Sequence, residues 1–146
     1  GGRRLYLVPK ALHKLHPAFD RALRTLLDAD ADGCVVLQCP HGEAWSHRLA
    51  QRLEVSMNCA AGVRGRHRCD RLVVLRTPLQ HPEFIALLQS ATLVVDSWPW
   101  GGITGTLECF ELGVPVVALE HPELCFGRAA AALWRQLLGF ALPSPR

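Results

Sequence analysis

The sequence predicts an α/β protein in which a parallel sheet of about five strands is covered on both faces by helices. Three observations predict it. Short apolar runs rich in Val and Leu alternate with amphipathic stretches along the whole chain. The runs are four to six residues long, the length of fully buried parallel strands. The 146 residues, 49% of them hydrophobic, are enough for one domain with a substantial core.

Leu5 to Val8 reads as the first strand. Pro17 then marks the start of a helix through Asp28, with Phe19, Leu23, Leu26 and Leu27 at helical spacing. Cys34 to Leu37 is the second strand, and Glu43 to Glu54 a helix carrying Trp45, Leu49 and Leu53. After a loop rich in Gly and Arg comes the third strand, Leu72 to Leu75. Pro82 to Leu88 is a helix, Leu93 to Asp96 the fourth strand, and Thr106 to Leu112 the next helix. Val114 to Leu119 is the fifth strand and Arg128 to Leu138 a closing helix. Right-handed crossovers make this a doubly wound, Rossmann-like layer, whose ligands sit outside the carboxyl ends of the strands. The domain is expected over residues 1–142, with 143–146 as a frayed tail.

The formal net charge of +3 does not imply nucleic acid. Arg64, Arg66, His67, Arg68 and Arg71 cluster without aromatic stacking partners, so they read as a solvated loop or a weak polyanion contact. No apolar run reaches the ~18 residues of a membrane span, and no signal peptide opens the chain. Of the six cysteines none forms a C-x-x-C pair, and Cys34 and Cys109 sit among apolar neighbours as buried thiols do. A reducing compartment, cytoplasmic or nuclear, is expected. The opening Gly1-Gly-Arg-Arg runs straight into the first strand, as in a piece of something longer.

The stretch from Asp96 to Glu108, Asp-Ser-Trp-Pro-Trp-Gly-Gly-Ile-Thr-Gly-Thr-Leu-Glu, carries the most chemistry. A strand that stops at an acid, passes through small residues and feeds a helix aims backbone N–H groups at one spot beyond the sheet edge. Anions bind there. Gly101, Gly102, Ile103, Thr104 and Gly105 form the turn, and Glu108, about one helical turn further on, can reach a diol such as a ribose. Lys14 lies in the loop after the first strand, which adjoins the fourth in a doubly wound sheet, so it is expected to face Gly101 and Gly102. An ammonium there would neutralise a pyrophosphate and stabilise it as a leaving group; it also reads as a solvated lysine before a helix. Thr104 or Thr106 can cap the helix, bond a phosphate, or do both. Glu108 can equally be a first-turn acid favoured by the helix dipole. Trp98 and Trp100 either wall a base or sugar or pack structurally, and His13 and His16 flank Lys14.

Several alternatives lack their residues. A phosphoacceptor role for Asp96 needs an acidic pair after the first strand, where the chain has Pro9-Lys-Ala-Leu-His-Lys. The histidines and cysteines lack metal-ligand spacing. There is no G-x-x-x-x-G-K-[ST] loop, no G-x-S-x-G elbow and no G-x-G-x-x-G.

Three stretches together resemble the carboxyl-terminal half of the O-GlcNAc transferase and SPINDLY-type protein O-glycosyltransferases. They are Tyr6 to Asp20, Phe84 to Glu108, and Leu112-Gly-Val-Pro-Val-Val117 with Arg128 following. The resemblance implies a GT-B architecture, two Rossmann-like domains facing each other across a cleft, with this chain as the donor-binding one. It implies inverting transfer of GlcNAc or a related sugar from UDP-GlcNAc, or of fucose from GDP-fucose, to Ser or Thr of proteins. No metal or other cofactor takes part. In the family the lysine matching Lys14 contacts the diphosphate, the threonine matching Thr104 holds phosphate and the acid matching Glu108 holds the ribose. Gly105 stands where the family usually has a second threonine, and Ile103 where it usually has Gly or His. The implied partners are the nucleotide sugar, the acceptor protein, and the amino-terminal domain and tetratricopeptide repeats of a longer chain. No nucleic acid or membrane is implied. A second reading from another class is a non-catalytic remnant that binds nucleotide or a partner protein.

Overall fold

A computed structural model describes residues 3–38, 43–59, 68–121 and 123–139. The described strands are β1 (Arg4–Val8), β2 (Gly33–Gln38), β3 (Leu72–Leu75), β4 (Leu93–Val95) and β5 (Val116–Val117). The helices are α1 (Phe19–Ala29), α2 (Glu43–Ser56), α3 (His81–Ser90), α4 (Thr104–Glu111) and α5 (Ala129–Leu137). Short 3-10 turns occupy Leu12–Lys14, Arg68–Arg71 and Cys125–Arg128. All strand pairs are parallel, in the order β3-β2-β1-β4-β5. The expected α/β fold is the observed one.

The strand alternation sorts side chains onto two faces. Tyr6, Val8, Val35, Leu37 and Val95 meet Phe19, Leu23 and Leu27 of α1 and Leu49, Leu53 and Met57 at α2. Leu7, Val36 and Val94 point the other way, toward Leu88, Cys109, Val114 and Val116, with Phe110 and Trp134 packed alongside. Each fully buried Leu or Phe in these layers contributes on the order of 1.5–3 kcal/mol. Polar ties fix the helices in place. The buried Asp20 carboxylate accepts from Arg52 Nε at 3.0 Å, Arg52 Nη2 at 2.8 Å and Ser56 Oγ at 2.9 Å, joining α1 to α2.

The structure corrects several sequence readings. The fifth strand is two residues long, not six. The Val114 N–H turns back to the Cys109 carbonyl at 2.8 Å, Pro115 has no N–H, and β5 is an edge with a neighbour on one side only. Gly113 follows α4 at φ +69°, the left-handed conformation that ends a helix and that glycine adopts without strain. Arg71 is buried rather than part of a solvated cluster. Its guanidinium donates to the Leu27 carbonyl at 2.8 Å, Asp30 at 2.7 Å and Gly33 at 3.1 Å, satisfying carbonyls around the end of α1. Cys59 and Cys69 form a disulfide, a pairing that their spacing of ten did not reveal. Arg64, Arg66, His67, Cys39, the loop 40–42 and the tail 143–146 lie outside the described residues. Among the described residues no helix is long and apolar enough to cross a membrane.

Candidate functional site

The chain leaves β1 to build β2 and β3 on one side, then returns to place β4 on the other. The carboxyl ends of β1 and β4 are therefore adjacent, with Leu7 paired to Val94 and the connections above them leading in opposite directions. This is the switch point of a doubly wound sheet. An antiparallel bridge between Leu15 and Pro99 ties the loop after β1 to the loop after β4.

Two buried charges anchor the crevice. Asp96, directly after β4, is 2% exposed; Lys10, two residues after β1, is 7% exposed, and Lys10 Nζ lies 3.0 Å from Asp96 Oδ1. The carboxylate also accepts the Ser97 N–H at 3.1 Å and the Gly102 N–H at 3.0 Å. These bonds pin the glycine turn to the strand end. A Cβ on Gly102 would stand 1.9 Å from Lys10 Nζ, and one on Gly101 2.7 Å from Asp96 Oδ2 and 2.8 Å from the Phe126 carbonyl. A side chain at Gly101 would strike the Phe126 backbone, and one at Gly102 would have to push the Lys10 ammonium from its place. In the sequence Asp96 is only an acid at a strand end, and nothing along the chain pairs it with Lys10.

The turn delivers the chain into α4, whose first N–H groups have no acceptor within the helix. Neither Thr104 nor Thr106 caps it. Ile103 occupies the N-cap position, and the buried Thr106 hydroxyl donates to the Gly102 carbonyl at 2.8 Å, bracing the turn from below. Thr104 is exposed at the first helical position, with Ile103 exposed beside it. Lys10 Nζ comes to 3.7 Å, and Glu108 Oε2 to 3.9 Å, of the point where a Gly105 Cβ would sit. An ammonium and a carboxylate thus border the same first turn, and the half-buried Glu108 stands one turn into the helix as expected.

Lys14 ends the 3-10 turn and is half-buried. With His13, Trp100, Gly101 and Phe126 it lines a cavity of about 440 Å³; Gly102 is not among the lining residues. Ile103, Thr104, Gly105 and Glu108 are not among the residues lining that cavity; they lie on the adjoining helical turn. Trp100 and Phe126 stack at 5.9 Å between centroids and form one wall. Trp98 instead packs between His16 and His121, at 5.9 Å and 5.6 Å between ring centroids. The sequence left both tryptophans open; the structure assigns packing to Trp98 and the cavity wall to Trp100.

Among the described residues no group of three His, Cys, Asp or Glu side chains is arranged to hold a metal ion. Cys109 is fully buried on the core-facing side of α4, and desolvation pushes its thiol up to about 11. Cys34 is half-buried, less enclosed than expected, and Cys125 is exposed.

The fold is an α/β domain with a five-stranded parallel sheet, and the solved structures that it resembles include GT-B glycosyltransferases. No protein-family profile matches the sequence, and no curated protein is detectably similar to it. Solved structures do match. A mutant of the Thermobaculum terrenum O-GlcNAc transferase superposes with a TM-score of 0.75 at 26% identity, covering 92% of this chain and 24% of that one. A UDP-forming α,α-trehalose-phosphate synthase from Burkholderia xenovorans gives 0.58 at 18% identity, covering 97% of this chain and 37% of that one. The trehalose-6-phosphate synthase OtsA gives 0.60 at 14% identity, covering 93% and 36%. The chain therefore spans between about a quarter and somewhat over a third of these proteins' lengths.

Proposed function

We propose that this chain is the donor-binding domain of a protein O-glycosyltransferase. The donor is UDP-GlcNAc or, in the alternative, GDP-fucose; the acceptor is a Ser or Thr hydroxyl, and transfer inverts the anomeric centre without a metal. One observation carries the reading: Lys14 and Gly101 line one cavity beside the switch point between β1 and β4, and α4 begins three residues after Gly101. A lysine in a cavity beside a helix N-terminus suits a diphosphate. Glu108, one turn further along, takes the ribose hydroxyls.

In the reaction the bond between the anomeric carbon and the diphosphate breaks, and the electron pair leaves with the phosphate oxygen. Lys14 and the helix N-terminus stabilise that charge. The acceptor oxygen bonds the anomeric carbon from the opposite face, and its proton passes to a base supplied by another domain of the polypeptide. The isolated chain is expected to bind donor weakly and to transfer little. A cytoplasmic or nuclear setting belongs to this reading; the Cys59–Cys69 disulfide counts against it, since such bonds persist in oxidising surroundings.

A second reading, a non-catalytic remnant, is favoured by Gly105, which lacks a hydroxyl, and by Ile103, an exposed apolar side chain at the mouth of α4. Calorimetric titration with UDP, UDP-GlcNAc and GDP-fucose separates the two. Binding of UDP supports the donor domain. No heat with any of the three at millimolar concentration leaves the remnant.

A further inference from the structure

A second cavity, of about 390 Å³, adjoins the one lined by Lys14, with His13 and Trp100 as shared wall. Its lining includes His16, Trp45, Arg48 and Arg52 and, among the described residues, no carboxylate. Arg52 is held by Asp20. Arg48 sits with its guanidinium carbon 5.6 Å from the Trp45 ring centroid, a cation–π contact that orients it without neutralising it. Trp45 is 56% exposed and Trp100 45%, so two broad indole surfaces flank the opening. Indoles beside an arginine are the residue types that most often anchor a bound polypeptide.

We infer that this cavity is an acceptor subsite that takes an acidic side chain close to the Ser or Thr being modified. The inference rests on the donor reading of the neighbouring cavity, because a ligand seated here lies alongside the donor. Charge complementarity selects the occupant. A carboxylate meets the Arg48 guanidinium beside the His16 imidazole, and its own backbone lies against indole and proline surfaces. A basic segment would meet the Arg48 guanidinium and is selected against.

The test uses a short Ser-containing peptide flanked by Asp and Glu and its counterpart with Asn and Gln, each titrated into the chain with and without UDP. The acidic peptide is expected to bind about 2- to 5-fold more tightly, the range of a partly exposed ion pair. Arg48→Gln, at an exposed position, should erase that preference and leave UDP affinity unchanged. Trp45→Ala should weaken both peptides alike. Equal binding of the two peptides, no binding of either at millimolar concentration, or a preference that survives Arg48→Gln overturns the inference. Failure of UDP to bind is a separate result and counts against the donor reading; UDP binding without peptide discrimination counts only against the subsite.

Discussion

Replacing Lys10 by Met tests the arrangement at its most buried point. The side chain keeps its length and loses its charge, leaving the Asp96 carboxylate 2% exposed with its ammonium removed. Breaking a buried pair from one side costs about 3–5 kcal/mol. Asp96 keeps its bonds from the Ser97 and Gly102 N–H groups, so the low end, about 3 kcal/mol, applies. For a chain of this size about 3 °C of melting temperature accompanies each kcal/mol, giving a fall of ~9 °C in a thermal melt followed by circular dichroism. Lys10→Met with Asp96→Asn removes both charges, and Asn can still accept the Gly102 N–H. The double variant should recover most of the loss, with a coupling of about 2 kcal/mol or more. A single variant that melts within about 1 °C of the parent, or singles that simply add, refutes the view that this pair holds the glycine turn.

Further outcomes are expected at Lys14, at the Tyr6–Asp30 pair and at Cys109. Lys14→Ala should leave the melt nearly unchanged but weaken UDP about tenfold, the low end for a charge-assisted contact at a half-buried residue; equal affinity in calorimetry removes Lys14 from the site. Tyr6 is the chain's one tyrosine, and its hydroxyl bond to Asp30 at 2.5 Å, together with burial, raises its pKa above 10; Asp30→Asn should lower the phenolate midpoint in an ultraviolet titration. Asp30 is itself held well below the usual carboxylate range by Arg4 and then Tyr6, so what it adds to stability is complete above about pH 4 and is lost as pH falls through the acid range. Cys109, raised from 9.0 to about 11 by burial, should resist iodoacetamide at mildly alkaline pH while Cys125 reacts, as peptide mass spectrometry would show; protection of Cys125 or labelling of Cys109 in the native chain contradicts the burial assigned to them. The same shift makes stability fall between about pH 9 and 11, where the unfolded thiol has lost its proton and the folded one has not.

The strands and helices were legible because their signals are local. Leu72 to Leu75 reads as a strand from its own four residues, and Phe19, Leu23 and Leu27 mark the buried stripe of α1 by spacing alone. Local signals failed where a neighbour decides. Val114 to Leu119 is as apolar as any strand, yet only Val116 and Val117 find ladder partners, because the sheet ends there. The register of the helix start was equally invisible. α4 begins at Thr104, and that phase sends Thr106 inward to the Gly102 carbonyl.

For the site, the amino-acid order alone determined the glycine turn, its position between a strand and a helix, and Glu108 one turn beyond. All of these lie within thirteen residues and depend on backbone geometry that glycine permits. Only the folded chain decided how the two lysines of the first loop divide their work. Lys10 is drawn under the turn to Asp96 and Lys14 stays at the cavity wall, a division set by residues more than eighty positions away. A lone ammonium is as stable in water as in a loop. It is buried only where tertiary packing brings a carboxylate to meet it, and no reading along the chain can see that meeting.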